Sequence, residues 1–255
     1  MANTLDDLLT PAAVVDLGLM HANLDRMAGY TADSGLGLRP HTKTHKTPEL
    51  AREQLRRGAV GVTVATVHEA DVMSAVADDI LIAHPPVSRP KLERLTALPE
   101  ELRLTVALDS EEALEGLAAA CRAANRIVGV LIELDVGMRR VGVSEPARAV
   151  ALARAARDSA GVELRGILFY PGHIREPVAE QTPALERLRA ELDRFIVALD
   201  DAGFAPGVVS GGSTPTAYAS HNVQKLTEVR PGTYIFNDRT TYAIDACTRD
   251  DCAYT

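Results

Sequence analysis

Short runs of aliphatic and β-branched residues alternate with longer stretches whose apolar positions recur at helical spacing, from residue 12 to residue 229. An opening strand-like run at 12–16 and a helical stretch at 20–32 come first. Eight strand-like runs follow, at 36–43, 60–66, 79–83, 104–109, 128–135, 165–170, 207–210 and 225–229. Helical stretches at 48–57, 110–124, 145–158 and 182–201 lie between them. Strand–helix alternation on this scale predicts a parallel sheet, and eight units predict closure into a (β/α)8 barrel. A doubly wound open sheet is the alternative, because periodicity alone does not show closure. No Gly-x-Gly-x-x-Gly opens a helix after a strand, which weakens a dinucleotide-binding reading. The 255 residues suit one barrel.

Composition narrows the function classes. A formal net charge of −8 argues against a nucleic-acid binder, which would carry a basic face. No apolar run approaches the roughly 20 residues a membrane helix needs. The first residues, MANTLDDLLTPAAVVDL, carry acids where a secretion signal has bases, so a cytoplasmic location is expected. Cys121, Cys247 and Cys252 are an odd set without a C-x-x-C pair and are expected to be reduced thiols. After the eighth run the chain reads TTYAIDACTRDDCAYT, which resembles the start of another β element. A lone strand cannot bury its face. It either pairs with the run at 12–16 or belongs to something longer.

In such a barrel, chemistry sits at the C-terminal ends of the strands. The first run ends in Arg39-Pro40-His41-Thr42-Lys43-Thr44-His45-Lys46. In a regular strand Arg39, His41, Lys43 and His45 share one face, and ionisable groups on a buried strand need partners or a task. A solvated loop is the ordinary alternative. The fifth run ends in Glu133-Leu134-Asp135-Val136-Gly137-Met138-Arg139-Arg140, where arginines suit a phenolate, carboxylate or phosphate, or an ordinary salt bridge to Asp135. The sixth ends in Tyr170-Pro171-Gly172-His173. The seventh and eighth end in Ser210-Gly211-Gly212-Ser213-Thr214-Pro215-Thr216 and Arg230-Pro231-Gly232-Thr233. Glycines admit an anion to backbone N–H groups, and the loops after strands seven and eight are the usual phosphate site of barrel enzymes. Phosphate there and a lysine at strand one leave two chemistries: a pyridoxal phosphate (PLP) enzyme, or a phosphosugar enzyme with a substrate-bound lysine.

These motifs resemble the D-threonine aldolase and D-serine dehydratase family, the metal-activated branch of the alanine-racemase-like PLP enzymes. The resemblance runs through RPHTKTHK (39–46), VTVATVHEA (62–70), DILIAHPP (79–86), ELDVGMRRVGV (133–143), YPGH (170–173), SGGSTPT (210–216) and VRPGTYIFND (229–238). It implies an alanine racemase N-terminal type barrel over residues 1–238 and, at 239–255, the first strand of an incomplete, β-rich C-terminal domain. It implies that Lys43 rather than Lys46 carries PLP as a Schiff base, that Arg140 contacts the pyridoxal phenolic oxygen, and that Ser213, Thr214, Gly232 and Thr233 cradle the phosphate. Tyr170 and Arg230 are candidates for the pyridine nitrogen or ring. Lys43, His41 and Arg140 are the expected catalytic residues. Cations at Arg39, His41 and His45 would lower the Lys43 pKa. Relatives bind a divalent metal in the β-rich domain. Cys247, Cys252, His68, His84 and His173 do not reconstruct such a site, so no metal site is expected here and the chain is expected to be a fragment of a longer enzyme.

The activity implied is that of a lyase on a small β-hydroxy-D-amino acid, with D-threonine-like retro-aldol cleavage ahead of D-serine-like dehydration, and racemisation third. A non-catalytic PLP-binding barrel is the reading from another class. A homodimer without nucleic-acid or membrane partners is expected.

Overall fold

The structure, a computed structural model, describes residues 4–254 apart from the side chain of Asp6; residues 1–3 and 255, the outer limits of the two expected domains, lie outside it. The parallel strands are β1 (Gly37–Leu38), β2 (Val62–Val64), β3 (Asp79–Ile82), β4 (Arg103–Leu108), β5 (Val128–Leu134), β6 (Val162–Phe169), β7 (Val208–Gly211) and β8 (Glu228–Val229). They hydrogen-bond in the order β1-β8-β7-β6-β5-β4-β3-β2. The ring closes between β1 and β2: Val60 N donates to Leu38 O at 2.8 Å, Thr63 N donates to Pro40 O at 2.8 Å, and His41 bridges Thr63. That closure excludes the open doubly wound sheet.

Helices α1 (Leu17–Asp33), α2 (Pro48–Arg56), α3 (Val67–Met73), α4 (Arg89–Thr96), α5 (Glu111–Ala123), α6 (Pro146–Asp158), α7 (Thr182–Asp201) and α8 (Arg239–Ala243) surround the strands. Their starts are legible. Asp16, Thr66 and Ser110 cap α1, α3 and α5 by accepting a backbone N–H, and Pro48 and Pro146 open α2 and α6. One face of each of α1 to α7 packs in a single continuous core that includes Leu24, Met73, Leu117, Leu152 and Phe195.

The inward faces are layered. Leu81, Ala107, Leu131 and Leu168 fill the middle of the barrel. Below them, toward the strand N-termini, lies a charged layer. Arg39 Nε donates to Glu228 Oε2 at 2.8 Å and Arg39 Nη1 to Asp79 Oδ1 at 2.7 Å. Burial pulls the Arg39 pKa down, but the two carboxylates outweigh it and hold the guanidinium above its usual range.

Several expectations change here. The run at 12–16 is no strand: only Val15 pairs, in an antiparallel bridge with Tyr254, and Asp16 N donates to Ala253 O at 2.8 Å. The expected strand after 238 is instead α8, a 3-10 turn (Arg249–Asp251) and that one bridge. This tail is docked: Asn23 Nδ2 donates to Asp251 O at 2.7 Å, Arg26 pairs with Asp251 at 2.7 Å, and Ala253 is buried. Its backbone is satisfied within its own turn, by Phe236 O and Asp16 N, and by Asn23 of α1, rather than by a sheet.

Candidate active site

Period two carries the inward face of each strand up to the barrel mouth. Above Leu131 on β5 comes Glu133, and just past the ends of β6 and β8 come Tyr170 above Leu168 and Arg230 above Glu228; His41 follows Arg39 in the segment after β1. These four line a cavity of about 590 Å³ with Lys43, Thr66, His84, Arg140, Gly212, Ser213, Thr214, Gly232 and Thr233. Every expected site residue is in this cavity, and Lys43 is the one lysine among its lining residues. A larger cavity, about 830 Å³, opens at the opposite end between β6, α6 and the α7–β7 turn, and none of the motif residues line it.

The strand ends at Leu38, so the regular alternation expected through His45 does not persist. Residues Thr42–Thr44 form a 3-10 turn that lifts the solvent-accessible Lys43 into the mouth. His45 turns toward α2, where its Nε2 meets Gln54 Oε1 at 3.3 Å and its Nδ1 accepts from Thr47 N at 3.1 Å. Lys46, at φ +53°, ion-pairs with Glu69 at 3.2 Å. Arg39 is committed to the layer below. Thus Arg39 and His45 do not set the Lys43 pKa. It is lowered first by burial, then by Arg140 and Arg230. His41 is held well below its usual value, by burial and by Lys43 and Arg230, and stays neutral.

Tyr170 anchors the upper rim. Its ring lies 5.6 Å from Lys43 Nζ and 5.1 Å from the Arg140 guanidinium carbon. The loop that delivers Arg140 is tied by Asp135, whose Oδ1 accepts from Gly137 N and Arg139 N, each at 2.9 Å. Asp135 therefore shapes the turn and pairs with backbone rather than with an arginine side chain. Arg230 is fixed from below: its Nη1 donates to Ser210 Oγ at 2.6 Å and its Nη2 to Phe169 O at 2.8 Å, while Ser210 Oγ donates to Glu228 Oε1 at 2.6 Å. Burial lowers Arg230 to about 10, with Glu228 and Glu133 opposing.

Glu133 is a site residue to which the sequence pattern assigns no role. It is buried at the cavity wall, and burial raises its carboxyl to about 7 against the pull of Arg230. The signal was available in its inward register on β5. His84 and Thr66 also line the cavity, at the tops of β3 and β2. His173 is exposed against Gly137 and lies outside the lining set.

The rim after β7 and β8 fits a phosphate. Gly212 has φ +83°, and a Cβ on Gly232 would lie 2.9 Å from Thr44 Oγ1 and 3.1 Å from His41 O, so the backbone there is open only because both are glycine. The Ser213, Thr214 and Thr233 hydroxyls stand beside them. The opposite wall supplies an amine and a guanidinium. The donor types present, one lysine amine, two guanidinium groups and a glycine- and hydroxyl-rich rim, fit the chemistry PLP would need. Among the described residues, no group of three His, Cys, Asp or Glu side chains is placed to hold a metal ion.

The fold and site together are those of a parallel (β/α)8 barrel with one lysine and a glycine- and hydroxyl-rich rim at the strand C-termini. Residues 15–240 match the family model "Alanine racemase, N-terminal domain", and the chain belongs to this PLP-dependent family. It is 38% identical over 261 residues to D-threo-3-hydroxyaspartate dehydratase of Delftia sp. (strain HT23), covering 99% of this chain and 68% of that protein. It is 35% identical to D-threonine aldolase of Arthrobacter sp., covering 90% of this chain and 61% of that one. The crystal structure of D-threonine aldolase from Filomicrobium marinum superposes with a TM-score of 0.88 at 34% identity, covering 94% of this chain and 66% of that one. The chain thus spans about two thirds of the length of these relatives. A solved mutant of the Delftia dehydratase is described as being in the metal-free form. No helix among the described residues is long and apolar enough to cross a membrane.

Proposed function

We propose that this barrel binds PLP covalently on Lys43 and acts as a lyase on small β-hydroxy-D-amino acids, with retro-aldol cleavage of D-threonine-like substrates as the first reading. The observation that carries it is the single cavity holding Lys43, Arg140, Tyr170 and the Ser213–Thr214 and Gly232–Thr233 rims. Bound PLP supplies an electron sink that weakens bonds at the substrate Cα.

The chain's own groups divide the remaining work. Lys43, its pKa lowered by burial and two guanidinium groups, has its amine free to attack and later to accept a proton. Arg140 sits where it can stabilise a phenolate. Arg230, locked by Ser210 and Phe169, presents a fixed charge to the cavity, where it would face a bound cofactor. Neutral His41 accepts the Lys43 backbone N–H on Nδ1 at 3.4 Å and hydrogen-bonds to the Thr63 backbone, so it holds the turn that carries Lys43. The named relatives act on 3-hydroxyaspartate, threonine and serine, all α-amino acids with a β-hydroxyl. Dehydration is the second reading, favoured by the 38% identity to a dehydratase.

Product analysis with D-threonine and D-serine, with and without added divalent metal, tests the proposal. Glycine plus acetaldehyde means aldolase, and pyruvate plus ammonia from D-serine means dehydratase. A protein that binds PLP but yields neither is the non-catalytic barrel. A homodimer belongs to the same proposal, and light scattering checks it.

A further inference from the structure

Two of the three cysteines stand together in the docked tail. Thr248 to Asp251 form a turn: Asp251 N donates to Thr248 O at 3.2 Å, and Asp251 Oδ2 accepts from Thr248 N and Thr248 Oγ1, each at 2.7 Å. The backbone is extended at Thr248 (φ −87°, ψ 166°) and again at Cys252 (φ −78°, ψ 100°). A four-residue turn with extended flanks sets the residues on either side of it, here Cys247 and Cys252, next to each other. The sulfurs follow the backbone. Cys252 Sγ folds back to 3.9 Å from Thr248 O, beside Cys247, and Cys247 Sγ donates to Thr241 Oγ1 at 3.5 Å. Burial pushes the Cys247 thiol up, Thr241 opposes it, and the adjoining Cys252 thiol pushes it up again. Both thiols are free and half-buried, whereas Cys121 is sealed in the core.

The pair takes no part in the cavity that holds Lys43, and among the described residues no third His, Cys, Asp or Glu completes a metal site with it. What remains is a dithiol, and the turn between its sulfurs is the part of the tail that grips the barrel. Asp251 O accepts from Asn23 Nδ2 at 2.7 Å and from Asn237 Nδ2 at 3.3 Å, Asp251 Oδ1 pairs with Arg26 at 2.7 Å, and Ala253 N donates to Phe236 O at 2.7 Å. Through Phe236 and Asn237 these contacts reach the segment that continues from the Gly232–Thr233 rim.

We propose that Cys247 and Cys252 are a modification site, at which a small-molecule disulfide of the glutathione type closes an intramolecular disulfide around the gripping turn. Cys252, the outer thiol, attacks as its thiolate on one sulfur of the oxidant; that S–S bond breaks and one glutathione leaves, taking up the proton. The Cys247 thiolate then attacks the Cys252 sulfur of the mixed disulfide and releases the second glutathione. Two protein thiols lose two electrons and two protons, and the oxidant becomes two thiols. Partial exposure admits the oxidant, and adjacency makes the second step intramolecular. The closed ring over residues 247–252 fixes the turn in the shape that Asn23 and Arg26 hold.

The test equilibrates the purified chain anaerobically with glutathione buffers, followed by acid quench, alkylation in denaturant and mass spectrometry. The Cys247 and Cys252 thiols should disappear together, with Cys121 alkylated and no glutathione retained. One glutathione disulfide is consumed and two glutathiones are released, so ten times more total glutathione at a fixed ratio should move the protein about tenfold toward the dithiol; a mixed disulfide does not respond to that change. Trypsin cutting after the exposed Arg249, inside the ring, should give fragments that stay joined until dithiothreitol is added. Cys247→Ser and Cys252→Ser should each retain one glutathione and lose the tenfold response. A stable glutathione adduct on the wild-type chain overturns the proposal. So does a disulfide between two chains whose yield rises with protein concentration, and so does a pair that stays fully alkylatable in the most oxidising buffer.

Discussion

The charged layer beneath the cavity is a buried network in which each group holds the next, and Glu228→Leu tests it. Glu228 has an exposed fraction of only 6% and accepts from Arg39 Nε at 2.8 Å and from Ser210 Oγ at 2.6 Å. Removing its carboxylate leaves Arg39 with Asp79 alone, and leaves Arg230 held through a serine that has lost its acceptor. Breaking a buried pair by deleting one partner costs about 3–5 kcal/mol, because the remaining charge is stranded in low dielectric. With a urea m-value of about 3 kcal/mol/M for a chain of this size, the midpoint should fall by roughly 1–2 M. Glu228→Gln keeps an acceptor for Ser210 and should cost less. As a reference, Glu93→Ala removes the surface partner of Arg89, a 2.7 Å pair that is well exposed, and should leave the midpoint unmoved. Urea unfolding followed by far-UV circular dichroism reads all three. A Glu228→Leu midpoint within about 0.3 M of wild type, less than 1 kcal/mol at that slope, would refute the claim that this layer is a coupled buried charge network.

Other outcomes follow from the same geometry. Borohydride reduction in the presence of PLP should label Lys43 and be lost in Lys43→Ala, while Lys46→Ala, which removes only a surface pair with Glu69, should still be labelled; a label on Lys46 refutes the assignment. Gly232→Val should weaken PLP binding at least tenfold by equilibrium dialysis, since its Cβ enters the space beside Thr44 Oγ1 and His41 O. Arg140→Gln removes one of the cations that lower the Lys43 pKa, so the pH at which PLP attachment reaches half its maximal rate should move upward in stopped-flow absorbance. Glu133, raised to about 7 in the fold, contributes stability that is present below its ordinary carboxylate value and is lost as pH rises through 7. Glu133→Gln should therefore gain on the order of 3 kcal/mol over wild type at pH 8 and nothing at pH 4, in denaturant titrations without ligand.

Much of this protein was legible in its order of residues. Fully buried parallel strands read as aliphatic runs, as β5 does over Val128–Leu134, and the helices between them announce themselves through apolar spacing, N-caps and early prolines. The cavity residues were legible too, because period two along a strand fixes which side chains reach the mouth: Glu133 above Leu131, Arg230 above Glu228. What could not be read was anything set by a partner distant in sequence. Four ionisable residues at 39, 41, 43 and 45 looked equivalent, yet Asp79 and Glu228 draw Arg39 into the lower layer, and Gln54 draws His45 outward. The lowered pKa of Lys43 was expected from its sequence neighbours and arises instead from burial and from Arg140 and Arg230, about 100 and 190 positions away. The tail looked like a strand because its residues suit one, but Asn23 and Arg26 on α1 offered its backbone and Asp251 better partners. Local pattern thus determined which elements form and which way they face. Only tertiary packing decided which charges meet, because an ion pair depends on two residues whose separation the chain order does not contain.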